Sequence, residues 1–329
     1  MVYNKNMRTV VGVLRGGPSS EYEVSLKSGA NVLAELNREK YDPRDIFISR
    51  TGEWNVHGVT VTPEKALRGV GVAFNVLHGE YGEDGQVQRL LQALAIPYTG
   101  SDSFASAVAF NKHQTREAVI KLGVKVAHGV VVEPEDHVEE TAYSLFRSFP
   151  HPAIVKPVIG GSSVGVSKVG SFQEMHDALG RAAAVSPRVL IEEYIAGREA
   201  TVGVIDAFRG QKTYTLLPIE IVPPQEHDFF SYDAKYGGES LERCPGNFTP
   251  KEKATLEHIA RTVHEGLGLS HYSRSDFIVS KRGIYFLEVN TLPGMTKESL
   301  LPKALYAIGA SLSDFLDHAI TLACSTKRA

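Results

Sequence analysis

Thr9-Val-Val-Gly-Val-Leu14, closed by Arg15-Gly-Gly-Pro18 and followed by Ser20-Glu-Tyr-Glu23, decides the fold class. The first six residues form a short apolar run, the mark of a strand buried on both faces of a parallel sheet. Ser20 with Glu23 matches a capping box, and Val24, Ala30, Val32, Leu33 and Leu36 supply the apolar face of a helix behind it. Strand, glycine-rich turn and helix open a doubly wound α/β unit. Further strands are expected at Asp45–Ser49, Val70–Leu77 and Ile96–Thr99, and a helix through Val87, Leu90, Leu91 and Leu94. A first domain over residues 1–100 follows.

Ser101–Leu122 reads as one helix closed by Gly123. Ala153-Ile-Val-Lys-Pro157 and Gly165-Val-Ser-Lys-Val169 read as strands around a Gly/Ser loop. A helix over Ser171–Ala184 and a strand over Val189–Ile195 complete a second domain, residues 101–194. Strands at Glu199–Asp206 and Thr213–Ile221 begin a third, residues 195–329. Pro223–Asn247 has little apolar periodicity, and a structureless stretch of about 25 residues in a compact domain is usually functional or disordered. Thr249-Pro-Lys-Glu252 is a capping box with proline at the first helical position. Ser275–Val279 and Ile284–Val289 are strands joined by Lys281-Arg-Gly283, a common hairpin connection.

Composition excludes several classes. The 329 residues are 43% hydrophobic and 22% charged, which is ordinary for a globular protein of two or three domains. A net charge of −3 provides no general attraction for nucleic acid or a membrane surface. The two cysteines, Cys244 and Cys324, make neither a disulfide scaffold nor a cysteine zinc site, and they fit a reducing cytosol. With no long apolar run and a polar start that does not resemble a signal peptide, the expectation is a soluble cytoplasmic protein.

Four constellations carry chemistry. The late hairpin is the strongest. A loop of Lys281-Arg-Gly283 sets Asp276 opposite Glu288, and Asn290 shares a face with Glu288 at i, i+2. Two such close carboxylates repel unless a cation lies between them, and hard oxygen ligands on a sheet face suit Mg²⁺ beside nucleotide phosphates. Taken alone, such a trio more often describes solvated strand charges, and its flanks shift the balance. Arg274 precedes it, and Thr291-Leu-Pro-Gly-Met-Thr296 follows, with Gly294 placed to offer a backbone N–H. The second constellation is Lys156-Pro-Val-Ile-Gly-Gly-Ser-Ser-Val-Gly165, a lysine before a loop whose amides can meet phosphate oxygens. It is not a Walker A loop, since it joins strand to strand, and alone it would also describe a flexible hairpin. The third is Gly16–Glu21 at a helix N-terminus, where Glu21 is either a first-turn carboxylate or a partner for a substrate ammonium. His78-Gly79 and the turn Gly82-Glu-Asp-Gly85 end a strand, where open α/β sheets bind ligands. The fourth is Tyr232-Asp-Ala-Lys-Tyr236, suited to a lid that closes over a phosphate.

In their order and spacing these segments resemble the ATP-grasp superfamily and, within it, the D-alanine–D-alanine ligase family, from Val10 to about Leu316. The resemblance implies a three-domain ATP-grasp fold with an N-terminal Rossmann-like (pre-ATP-grasp) domain, and ATP held between the central and C-terminal domains. It implies ATP as substrate, two Mg²⁺ ions with Mn²⁺ as a substitute, two D-alanine molecules joined for peptidoglycan synthesis, and a homodimer. By position, Lys112 and Lys156 match phosphate-contacting lysines, and Ser162 and Ser163 lie in the loop that covers the phosphates. Glu192 and the backbone of Glu193–Ile195 match the adenine stretch, and Glu199 the ribose ligand. Lys235 is similar to a lid lysine that reaches the transferred phosphoryl group. Asp276, Glu288 and Asn290 match the metal ligands. Glu21 matches the carboxylate that holds the first D-alanine's ammonium, with Ser162 and Tyr236 as its hydrogen-bonded partners and His78 close to substrate. Arg274 and the Gly294 amide match groups that stabilise an oxyanion, and Ser299 and Leu300 the site of the second carboxylate.

Two positions depart from the family pattern. Val158-Ile-Gly160 stands where a polar Ser-Arg-Glu is frequent, and Glu193 stands where lysine is common. A ligase with another second substrate, D-lactate, D-serine or another amino acid, is the alternative reading. Tyr236 beside Lys235 favours D-alanine.

Overall fold

The structure, a computed structural model, describes residues 8–134, 137–222 and 241–326. Lys235, Tyr236 and most of the expected lid therefore lie outside the described residues.

The first sheet is built from β1 (Thr9–Gly16), β2 (Tyr41–Ile48), β3 (Trp54–Val56), β4 (Val59–Val61) and β5 (Val72–Asn75), in the order β4-β3-β2-β1-β5. β1 runs parallel to both β2 and β5, as an apolar strand flanked by crossover helices should. Helix α1 (Tyr22–Glu35) follows β1. Its cap differs from expectation. Glu21 is the N-cap residue, with no side-chain cap bond, and the hydroxyl of Ser19 rather than Ser20 takes the Glu21 N–H at 3.1 Å. The β3–β4 hairpin was not expected, and Ile96–Thr99 contributes only a single bridge, from Tyr98 to Ala73. Short α2 (Pro63–Ala66) and then α3 (Gln86–Ala93) complete this part.

The expected helix over Ser101–Leu122 is two, α4 (Ser103–Phe110) and α5 (Lys112–Lys121). The chain leaves helical geometry at Asn111, whose side chain caps α5 by accepting from Gln114 N–H at 3.0 Å. The Lys112 N–H goes to the Val158 carbonyl at 2.9 Å. This tertiary bond replaces a helical one and puts Lys112 at the mouth of the Gly/Ser loop.

An antiparallel sheet, order β6-β9-β7-β8, is made of β6 (Gly129–Val132), β7 (Ala153–Pro157), β8 (Ser167–Val169) and β9 (Val189–Glu193). Helices α6 (Val138–Ser148) and α7 (Phe172–Ala183) cover it, and Ser171 and Glu174 close the capping box of α7. The third sheet has β10 (Arg198–Asp206), β11 (Thr213–Thr215), β12 (Ile219–Val222), β13 (Leu241–Arg243), β14 (Tyr272–Ser280) and β15 (Gly283–Asn290). Its main path is β13-β12-β10-β14-β15, so the strand expected over Thr213–Ile221 is split in two. Helix α8 (Pro250–Gly266) has the Thr249–Glu252 capping box, and α9 (Leu300–Ala307) and α10 (Leu312–Ser325) end the described chain.

The β14–β15 hairpin reaches the expected Asp276–Glu288 pairing by another route. Its turn is two residues, Lys281-Arg282, so Ser280 pairs with Gly283 and Phe277 with Phe286. A register shift between Asp276 and Phe277 restores Asp276 opposite Glu288 and leaves Leu287 as an extra residue on β15. Cross-strand partners share a face, so the bulge sends Phe277 and Phe286 into the core and Glu288 to the other side.

The largest core joins the first sheet to the last helices: Val11, Val13, Val72 and Phe74 pack with Phe315, Leu316, Ala319 and Ile320. The second sheet has a core of its own, with Val155, Ile191, Met175 and Leu179 at its centre.

Candidate active site

One cavity of about 870 Å³ lies between the sheets, and every described residue given a site role above lines it. Glu21 and His78 come from the first sheet's loops and Lys112 from the start of α5. Lys156, Ser162, Ser163, Glu192, Glu193 and Ile195 come from the second sheet. Glu199, Arg274, Asp276, Glu288, Asn290, Gly294, Ser299 and Leu300 come from the third sheet and the segment after it.

The hairpin's oxygens are held in place from beneath. Arg274 donates to both carboxylate oxygens of Asp276, each at 3.0 Å, and Thr201 Oγ1 donates to Asp276 Oδ1 at 2.5 Å. Asn290 Oδ1 accepts the Leu292 N–H at 2.8 Å. Burial opposes the Arg274 charge, but Asp276 and Glu288 around it outweigh that and keep it protonated. Two carboxylates and one amide, all hard oxygen donors on adjacent strands, fit a divalent cation such as Mg²⁺. Among the described residues, no three His, Cys, Asp or Glu side chains gather into a competing metal site.

Two lysines face this set. Lys112 Nζ lies 3.8 Å from Glu288 Oε2 and donates to the Gly160 carbonyl at 2.5 Å. Lys156 Nζ lies 2.6 Å from Glu192 Oε2, while Arg116 holds the other Glu192 oxygen at 2.9 Å. The loop between β7 and β8 carries Ser162 and Ser163 at φ of 54° and 60°, a left-handed backbone that is uncommon for residues with side chains and that recurs at ligand-gripping loops. The side chain of Glu193 accepts from Arg282 and from His128 N–H, and its carboxyl is held below the usual range chiefly by the Arg282 bond.

At the other end, Glu21 sits between two glycines. A methyl on Gly161 would stand 2.5 Å from Glu21 Oε2, and one on Gly79 would stand 3.3 Å from it. His78 is buried, with Nε2 3.1 Å from Ser28 Oγ, and burial lowers its pKa to about 4, so the ring is neutral at physiological pH. Beyond them, Ser299 Oγ accepts from Thr296 N–H at 3.1 Å and abuts Gly294.

Glu83 enters the sequence analysis only as part of the turn Gly82–Gly85, with no role of its own. Its carboxyl is buried in the cavity wall, accepting from Gly79 N–H at 2.8 Å and Leu292 N–H at 3.3 Å. Burial, with the nearby Glu21 charge, raises its pKa to about 8, so it carries a proton near neutral pH. The acidic turn Gly82–Gly85 was the available signal, but only burial separates Glu83 from a surface turn acid.

A Gly/Ser loop and two lysines facing a carboxylate pair across a cleft between antiparallel sheets define the ATP-grasp class, whose members activate a carboxylate with ATP. Family models agree: "D-ala D-ala ligase N-terminus" matches residues 10–65 and 55–101, and "D-ala D-ala ligase C-terminus" matches residues 119–321. The D-alanine–D-alanine ligase of Geobacter sulfurreducens is 40% identical over 94% of this chain and 92% of its own. That of Syntrophobacter fumaroxidans is 39% identical over 96% of this chain and 98% of its own. Among solved structures, the VanG D-Ala:D-Ser ligase from Enterococcus faecalis superposes with a TM-score of 0.82 at 30% identity, covering 96% of this chain and all of that one. The D-alanine–D-alanine ligase from Coxiella burnetii gives 0.82 at 26% identity, covering 96% of this chain and 94% of its own. This chain belongs to the D-alanine–D-alanine ligase family. Family membership brings with it the use of ATP, a divalent metal and D-amino acid substrates.

Proposed function

We propose that this protein joins two D-alanine molecules into D-alanyl-D-alanine at the expense of ATP, through an acyl phosphate, as a cytoplasmic step of peptidoglycan precursor synthesis. The supporting observation is the single cavity in which Glu21, the Gly/Ser loop, both lysines and the β14–β15 oxygens face one another. The chain is read as three units, 1–100, 101–194 and 195–329, with the nucleotide between the last two, and as a homodimer.

A carboxylate is a poor acyl donor because its oxygen leaves badly. Transfer of the γ-phosphoryl group of ATP to that oxygen makes a good leaving group, and the amine of the second substrate can then attack the carbonyl. Glu21 holds the first D-alanine's ammonium, which leaves that molecule's carboxylate directed toward the phosphates. Lys112 and Lys156 neutralise phosphate charge, the Ser162–Ser163 loop covers the phosphates, and Glu199 takes the ribose. Two Mg²⁺ ions held by Asp276, Glu288 and Asn290 would neutralise the phosphoryl oxygens when bound. Arg274, aimed by its paired bonds to Asp276, stabilises the tetrahedral oxyanion together with the Gly294 amide. Neutral His78 and protonated Glu83 add no charge beside the first substrate. Ser299 and Leu300 receive the second substrate's carboxylate. Lys235 and Tyr236 are assigned to the transferred phosphoryl group and to closure against Ser162 by family resemblance.

A second reading, D-serine as the second substrate, is raised by the VanG relative at 30% identity, against 40% and 39% for the Geobacter and Syntrophobacter D-alanine–D-alanine ligases. ADP release with D-alanine, L-alanine, D-serine and D-lactate, alone and in pairs, separates the two. Stimulation by D-alanine alone supports the first reading. Turnover that requires D-serine beside D-alanine replaces it with the second.

A further inference from the structure

Glu193 and Arg282 meet across the rim of the cleft. Glu193 is the last residue of β9, and Arg282 occupies the two-residue turn between β14 and β15. Arg282 Nη1 donates to Glu193 Oε2 at 2.9 Å, and Nη2 donates to Oε1 at 3.3 Å. The linker from α5 to β6 fastens both partners. His128 N–H donates to Glu193 Oε1 at 3.1 Å, and the Glu193 N–H donates back to the His128 carbonyl at 2.8 Å. The Lys125 ammonium donates to the Arg282 carbonyl at 2.5 Å. Close by is a small apolar cluster of Ala127, Ile195, Ile278 and Tyr285, drawn from the same three segments. Lys125 and Arg282 both lie over the Tyr285 ring, at 4.4 and 5.5 Å.

We propose that the Glu193–Arg282 pair is a clasp that positions the adenine-reading backbone of Glu193–Ile195 against the β14–β15 hairpin and thereby sets ATP affinity. The proposal rests on the ATP-dependent reading above. The hairpin carries Asp276, Glu288 and Asn290 at its open end and Arg282 at its turn, so one ribbon spaces the base site from the phosphate site. Both partners are positioning residues: each acts through the other and neither side chain is assigned a contact with the reacting atoms. Exposed ion pairs are generally weak, and the Arg282 side chain is 61% exposed. This pair is two-pronged, however, and its carboxylate is only 17% exposed and braced by a backbone N–H. A clasp that spaces two subsites alike in ground and transition states acts on binding, so it moves KM and leaves kcat.

The test compares the full-length wild type with Glu193→Gln, Arg282→Gln, Arg282→Lys and the Glu193→Gln/Arg282→Gln double variant. It reads ATP KM, D-alanine KM, kcat, calorimetric ADP Kd and Tm. Each Gln variant is expected to raise ATP KM and ADP Kd about three- to tenfold, with kcat within about twofold and D-alanine KM unmoved. The double variant should be no worse than the worse single variant, because one interaction is lost once. Arg282→Lys should recover part of the loss, and about 1 M salt should shrink the wild-type advantage. ADP Kd within about twofold of wild type in both single Gln variants would overturn the clasp, as would fully additive losses in the double variant. A lower Tm with unchanged Kd would also overturn it, leaving a purely stabilising pair. A wild type that neither binds ADP nor releases it with D-alanine sinks the functional reading and the clasp with it. An active wild type with unmoved variants sinks the clasp alone.

Discussion

Gly161 has no room for a side chain, because a methyl there would lie 2.5 Å from Glu21 Oε2. Gly161→Ala should therefore displace the carboxylate, which is the flexible partner, and leave the loop in place. The expected result is a rise in D-alanine KM of roughly tenfold or more with ADP affinity near wild type, read by steady-state kinetics and calorimetry. Glu288→Gln keeps shape and removes charge. It should lower turnover by on the order of a hundredfold or more, while Tm moves little because the side chain is 36% exposed. Full activity in that variant would remove Glu288 from the site. His78 and Glu83 make stability depend on pH in opposite senses. The folded pKa of His78 is depressed to about 4, so its contribution is present above its unfolded value and is lost as pH falls toward 4. The folded pKa of Glu83 is raised to about 8, so its contribution is present at low pH and is lost as pH rises through 8. The two opposing slopes overlap below about pH 6.5, so a fall in wild-type Tm is expected between about pH 6.5 and 8, and Glu83→Gln, which mimics the protonated acid, should flatten it in thermal melts. Asp276, Glu288, Asn290, Lys156 and the Ser162–Ser163 loop were legible in sequence because their motifs imply a shared face or loop, whereas Lys112, Glu192, Glu199, Ser299 and Leu300 came only with the family resemblance. Glu83 was not legible, because its proton comes from burial by residues far away in the chain.

At the scale of elements, the hairpin was read correctly in outcome and wrongly in route. Lys281-Arg-Gly283, with glycine last, suggested a three-residue loop, but the turn holds two residues and Leu287 supplies the missing step. A bulge leaves little trace in composition, since its extra residue is another apolar one. The break between α4 and α5 was equally hidden. Most of Ala105 to Lys121 is good helix-forming sequence, and the Asn111 cap together with the Lys112–Val158 backbone bond, set by tertiary packing, explains why the chain turns there. Asn111→Ala removes the cap on α5 and should cost about 0.5–2 kcal/mol in denaturant melts. It should also raise ATP KM, because Lys112 is the first residue of the helix that the cap anchors. The β3–β4 hairpin escaped notice because its strands are three residues each and lie at a sheet edge.

Across the whole molecule, cores do not follow chain order. The first sheet shares its packing with α10, which rests on α1 and β5, whereas the second sheet closes around its own interior. Tyr41 Oη and Lys40 Nζ add bonds to Asp317 on α10 at 2.5 and 2.9 Å. Phe315→Ala should cost about 3–5 kcal/mol, since the ring is fully buried. Hydrogen exchange in that variant should quicken in β1 and β5 together with α10, while β7 and β9 stay as protected as before. Equal loosening of all three sheets would show instead that the interior is one cooperative unit. This shared packing constrains how the chain is made. Val11 and Val13 leave the ribosome about 300 residues ahead of Leu316 and Ile320. At roughly 5–20 residues per second, the opening strands wait on the order of tens of seconds for the helix that covers them. Until then the nascent chain presents an apolar face without its α10 cover, so a transcript cut short before residue 312 yields a product for chaperones or aggregates, whatever the quality of its nucleotide cleft.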